Sequence, residues 1–147
     1  MKFIFISVGK KNDSDIADAV LDYTKRIERY FKAEWKIIPS SDKAKEGESI
    51  LKSIETGDFV VALDEGGKEF NTIELSEFVE KRMIAGDGRV IFIIGGAYGI
   101  DESVLKRANF TWSLSKLTFP HQLVRLLLSE SLYRAISVLK KEPYHHA

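Results

Sequence analysis

Three short stretches of this sequence are apolar almost without interruption: "FIFISV" at residues 3–8, "FVVAL" at 59–63 and "VIFII" at 90–94. A strand with one wet face alternates apolar and polar side chains, whereas a strand covered on both faces does not. Each run is bounded by glycine or charge and has strand length. Between them stand helical patterns. "DIADAVLDYTKRIERYF" spaces Ile16, Ala19, Val20, Tyr23 and Ile27 along one face, with Asp13 or Ser14 as its cap, and "TIELSEFVEKRMIAG" ends at Gly86. "AEWKIIP", stopped by Pro39, and "FTWSLS" read as two further strands. "DFVVALDEGG" reads as a strand closed by a Gly-Gly turn, and "DESVLKRA" as a short helix capped by Asp101. The polar "SSDKAKEGES" reads as a surface loop or frayed helix start, leading to a short helix around residues 50–54. A long helix covers roughly residues 120–140. Strands alternating with helices predict an α/β three-layer sandwich with a mainly parallel sheet.

The length of 147 residues predicts a single domain spanning 1–147. Cysteine is absent, which excludes a disulfide framework, a thiolate zinc site and a cysteine nucleophile, and fits a reducing cytoplasm. The first apolar run is too short for a signal peptide, and no stretch has the length of a membrane span. Lys+Arg and Asp+Glu both total 22, so there is no basic field for gripping free nucleic acid. Residues 101–147 are mildly basic, with seven Lys or Arg against four acids.

In open parallel sheets, ligands bind beyond the carboxyl ends of strands. Two such ends carry glycines: Leu63-Asp64-Glu65-Gly66-Gly67 and Ile94-Gly95-Gly96-Ala97-Tyr98-Gly99. The second is G-G-x-x-G on the fourth strand, not the G-x-G-x-x-G of dinucleotide folds, and no phosphate-loop motif occurs. Together the two loops point to a pocket. His121 is a candidate base, phosphate contact or plain helix-start histidine. Tyr144, His145 and His146 are too close together to form a metal site alone. The long helix is apolar around most of its circumference, as expected if one side meets the sheet and another a second subunit. Arg125 and Arg134 interrupt that surface, and each needs a carboxylate such as Glu130, a phosphate or a carbonyl.

"VVALDEGGKEF", "VIFIIGGAYGI", "TWSLSKLTFPHQLVRLLLSESLYRAISV" and "PYHH" occur in the order seen in the RlmH family, and the chain resembles that family along its whole length. These are small ribosomal RNA methyltransferases of the SPOUT superfamily. The resemblance implies a C-terminal trefoil knot that holds S-adenosylmethionine, a homodimer, and no metal. It implies methylation of ring nitrogen 3 of a pseudouridine in helix 69 of 23S ribosomal RNA, on assembled ribosomes. Leu63, Gly95, Leu114, Ser115, Lys116, Leu117, Thr118 and Phe119 match the family's cofactor contacts. His121, Arg134, Tyr144 and His145 match positions near the substrate. Relatives carry Arg or Lys after the Tyr-His pair, where this chain has His146 and then Ala147, so a fixed charge becomes a titratable one.

The imide nitrogen of pseudouridine is mostly protonated at neutral pH. His121 or His145 is then the candidate base, and Arg134 the candidate stabiliser of negative charge on a carbonyl oxygen. The alternatives are a ribosome-binding protein without activity and a methyltransferase acting on another RNA. Close approach of the cofactor is expected at Gly95, and a mobile tail that orders on RNA is expected from residue 144 onward.

Overall fold

The apolar runs lie side by side. The computed structural model describes residues 1–146, so the terminal Ala147 lies outside the described residues. In chain order the elements are β1 (Lys2–Val8), α1 (Ser14–Glu28), β2 (Lys32–Ile38), α2 (Lys43–Lys52) and β3 (Phe59–Glu69). They continue with α3 (Thr72–Ile84), β4 (Arg89–Ile94), α4 (Glu102–Arg107), β5 (Phe110–Ser113) and α5 (His121–Leu139). The five strands form one sheet in the order β2-β1-β4-β3-β5, and every pairing is parallel. Period-two alternation sorts the side chains. Phe3, Phe5, Val61, Val90, Phe92 and Trp112 share one core with Ile27 of α1, Leu75 and Val79 of α3, and Leu128, Leu132 and Ile136 of α5. Ile4, Ile6, Val8, Val60, Ala62, Ile91 and Ile93 share the other with Ile50 of α2 and Val104 of α4. One face is thus aromatic and the other aliphatic, and each fully buried side chain of this kind contributes about 1.5–3 kcal/mol. The fold is the expected three-layer α/β sandwich.

Four local expectations need correction. First, α2 begins at Lys43, well before residue 50, because the Asp42 side chain caps it by accepting from the Lys45 N–H at 2.9 Å. Its buried positions include Glu46 and Gly47, polar or tiny residues that carry no apolar signal. Second, the Gly-Gly pair is not a turn. β3 runs on to Glu69, and its register against β5 jumps, with both Leu63 and Lys68 opposite Trp112. Residues 64–67 are looped out as a wide bulge. Gly67 is required there, since a Cβ on it would come 2.6 Å from the Thr111 backbone. Third, Asp13 occupies the cap position of α1 without a side-chain cap; its N–H instead donates to Gln122 Oε1 at 2.8 Å. Fourth, Pro120 is the N-cap of α5 rather than its first residue, and its carbonyl accepts from the Val124 N–H at 3.0 Å.

Candidate active site

β4 returns between β1 and β3, and the carboxyl ends of β3, β4 and β5 open on one edge of the sheet. A cavity of about 730 Å³ lies there. The β3 bulge forms one wall (Leu63 to Gly66) and the loop after β4 a second (Ile94 to Ala97, Gly99 and Ile100). The third wall is the segment between β5 and α5, and His121 and Val124 close it from the helix. Seven of the eight expected cofactor residues line this cavity: Leu63, Gly95, Leu114, Ser115, Leu117, Thr118 and Phe119. Lys116 belongs to the same segment but is exposed and does not line it.

The segment after β5 is held by short-range bonds. The Ser113 hydroxyl donates to the Ser115 carbonyl at 2.9 Å, and the Leu117 N–H donates to Ser115 Oγ at 3.0 Å. Thr118 Oγ1 donates to Glu65 Oε1 at 3.0 Å, tying the segment to the β3 bulge. Leu117 is 69% exposed and Tyr98 77% exposed, so two large side chains stand free on loops that line the cavity. Gly95 lines the cavity, and its own loop gives a second reason for glycine beside the expected close ligand approach. A Cβ on Gly95 would point into its own loop, 2.8 Å from both the Gly99 backbone and the Ile100 side chain. The charged lining residues are Asp64 and Glu65; neither lysine nor arginine lines the cavity.

His121 sits at the cavity with its ring against Gly9, where a Cβ would be 2.8 Å from Nε2. Gly9 has φ +129°, a conformation that suits glycine. Burial, and then the charge of Arg125, hold His121 below its ordinary pKa. The other expected substrate residues form a separate cluster near the far end of α5. Arg134 Nε and Nη2 donate to Glu130 Oε1 at 2.9 and 2.6 Å, and Nη1 donates to His145 Nδ1 at 3.3 Å. Tyr144 donates to the same Glu130 oxygen at 3.1 Å, meets Tyr23 Oη at 3.1 Å and stacks edge-on against Tyr133. Burial, Tyr23 and Glu130 push the Tyr144 phenol far above its ordinary range. The tail is therefore seated on α1 and α5 through Tyr144, not free from residue 144 onward, while His146 is exposed. Arg134 lies thirteen helical steps after His121, about 20 Å along the axis. Within this chain the cavity and the tail cluster are two places.

Sequence reasoning missed Glu65, Tyr23 and the β1 end. Glu130 was in view as a partner of either arginine, and it serves Arg134. Arg125 has no carboxylate partner among the described residues: it donates to Ser7 Oγ, the Lys10 carbonyl and Asn12 Oδ1. Only the apolar helix around it marked it as unusual.

Residues 1–145 match the family described as "Predicted SPOUT methyltransferase". A protein of Christiangramia forsetii named ribosomal RNA large subunit methyltransferase H is 45% identical over 156 aligned positions, covering 99% of both chains. Its namesake from Parabacteroides distasonis is 41% identical over the same share of each chain. Among solved structures, a probable methylase family protein from Haemophilus influenzae Rd KW20 superposes with a TM-score of 0.55 at 12% identity, over 99% of this chain and 70% of that one. At that identity the likeness is one of fold. Full-length similarity to these relatives joins the cavity at the carboxyl edge of a parallel sheet, and the chain belongs to the SPOUT methyltransferase family.

Proposed function

We propose that this chain methylates ring nitrogen 3 of a pseudouridine in helix 69 of 23S ribosomal RNA, on assembled ribosomes in the cytoplasm, as a homodimer using S-adenosylmethionine. The observation that carries the reading is the cavity and its lining. Its volume suits a small-molecule site. Its charged lining, Asp64 and Glu65 without lysine or arginine, suits a cationic sulfonium and not the phosphates of a dinucleotide. SPOUT methyltransferases use S-adenosylmethionine, and the similar proteins bear the name of a large-subunit ribosomal RNA methyltransferase. A C-terminal trefoil knot around the cavity is carried over from the family likeness.

Bound there, S-adenosylmethionine supplies a methyl group on a positively charged sulfur. The chain must orient the target, exclude water and accept one proton. The candidate acceptors are His121 and His145. Arginine has no acceptor, so Nδ1 of His145 accepts in its contact with Arg134, and the proton of the neutral ring is on Nε2. Arg134, freed toward a substrate, stabilises charge on a carbonyl oxygen, and Tyr144 offers a ring for stacking. Because the cavity and the tail lie apart in one protomer, the tail serves the cavity of a second protomer. Leu123, Leu126, Leu127 and Val138 are only partly buried and belong to neither core, which leaves a face of α5 for that partner.

Calorimetry with S-adenosylmethionine and mass mapping of ribosomes from a strain lacking the modification test the reading. The expected result is cofactor binding and one methyl group on nitrogen 3 of one pseudouridine in helix 69. A methyl group elsewhere overturns the target, and absence of cofactor binding overturns the whole assignment.

A further inference from the structure

Arg125 is completely buried, yet among the described residues it makes no ion pair with a carboxylate. Nε donates to Ser7 Oγ at 2.7 Å, and Nη1 donates to the Lys10 carbonyl at 2.7 Å and to Asn12 Oδ1 at 2.8 Å. All three partners are neutral, and Nη2 is buried with no partner. A buried cation without a counter-charge projects its field onto whatever lies beside it. One turn earlier on the same helix is His121, and residues four apart on a helix are neighbours. Among the described residues its Nε2 is also buried and unpartnered, while Nδ1 is neither buried in this way nor hydrogen-bonded.

These facts constrain the ring. A proton on Nε2 would bury an unsatisfied donor beside a guanidinium whose own donors point outward. A lone pair on Nε2 is instead favoured by that positive field. A second proton on the ring would place two cations side by side. The remaining charged groups around the ring do not reverse this. Lys10 is exposed on the β1–α1 connection. Asp64 and Glu65 line the same cavity, but neither is bonded to the ring, and Glu65 is engaged by Thr118.

We infer that Arg125 is a positioning residue that sets the tautomer of His121, holding the ring neutral with its proton on Nδ1, so that His121 offers the cavity a hydrogen-bond donor and is not the base. The depressed basicity of His121, caused by burial and then by Arg125, agrees with this geometry. The ligand group it suits is a carbonyl or carboxylate oxygen. The inference rests on the methyl-transfer reading for its function, but not for its chemistry. It also narrows the choice of proton acceptor to His145.

Long-range proton–nitrogen NMR on histidine-labelled protein tests the tautomer without any substrate. The chain has three histidines, and His121→Gln assigns the signal. The expected result is an Nδ1–H pattern that persists to lower pH than the signals of an ordinary exposed histidine. An Nε2–H pattern, or titration at or above the ordinary value, overturns the inference. Arg125→Met should raise the apparent pKa of His121; if that variant does not fold, Arg125→Lys should keep it low, and the wild-type measurement stands alone. Kinetics separate donor from base. His121→Asn keeps an N–H near the Nδ1 position and should retain kcat within about tenfold, whereas His121→Ala should lose about 100-fold or more, the cost of one lost donor. Equal losses in both variants overturn the donor role. A chain that transfers no methyl group sinks the proposed function while leaving the tautomer result intact.

Discussion

One oxygen of Glu130 organises the tail. It accepts two bonds from Arg134 and one from Tyr144, and the Arg134 guanidinium lies 4.7 Å from the centre of the Tyr144 ring. Since Tyr144 spends its hydrogen on Glu130, Tyr23 must donate in the contact between the two phenols. Glu130→Gln removes the charge while nearly keeping the shape. Both partners are partly exposed, so the expected cost is about 1–2 kcal/mol, or a Tm lower by about 3–6 °C. Methylation should fall at least about tenfold while cofactor affinity holds; weaker cofactor binding in calorimetry would contradict two separate clusters. His121 supports a second prediction. Its folded pKa is below the ordinary 6.5. Between those two values the unfolded chain binds more protons, so stability rises with pH. The contribution is complete above about 6.5 and is lost as pH falls below it. Thermal melts from about pH 7.5 to 5 should show that slope, and His121→Gln should flatten it. Equal slopes would mean that the ring is not buried neutral.

At the scale of elements, glycine chemistry separates what the sequence reveals from what it hides. Gly67→Ala would push a methyl group into the Thr111 backbone, where nothing can yield. The expected cost is about 1–3 kcal/mol, with the β3–β5 edge loosened and cofactor binding weakened as a consequence. Hydrogen exchange should locate the loss on that edge; unchanged protection would refute it. Gly95→Val should behave the same way, through Gly99 and Ile100, so it tests folding of the loop more than contact with a ligand. The paired strands were legible because Phe3 to Val8 and Val90 to Ile94 are apolar on both faces, a pattern with one structural solution. The start of α2 was not, because Glu46 and Gly47 are buried for reasons that only the fold supplies. Glu46 stands against Gly96, and Gly47 gives room to Asp101. Nor could spacing reveal the β3 bulge, since a Gly-Gly pair suits a turn and a close strand contact equally well. The segment after β5 was singled out by its likeness to a family and does line the cavity, whereas the isolation of Arg125 from any acid among the described residues depends on packing between α5 and the β1–α1 connection.

The whole molecule poses the problem of distance. His121 and Arg134 lie about 20 Å apart along α5, and none of Arg134, Tyr144 and His145 lines the cavity. A two-fold dimer places the same patch of each subunit against its counterpart, and it can exchange the two ends of α5 between subunits. The partly buried stripe of Leu123, Leu126, Leu127 and Val138 runs between them. Leu126→Glu puts a charge on that stripe and should leave a folded monomer that binds the cofactor yet does not methylate. Sedimentation showing a dimer in Leu126→Glu would remove the stripe from the interface. Complementation decides whether the tail acts across the proposed dimer. Thr118→Trp fills the cavity from an exposed position and spares the tail, while deletion of residues 144–147 spares the cavity. The deletion also removes the Tyr144 contacts to Tyr23 and Glu130, so it should lower stability modestly without unfolding the chain. Each variant alone should be inactive. Mixed in equal amounts and allowed to exchange, half the dimers are hybrids, and each hybrid holds one intact cavity served by one intact tail from the other subunit. Activity should then recover to about one quarter of wild type. If tail and cavity belong to the same protomer, the hybrid has no complete site, and the mixture stays as dead as its parts.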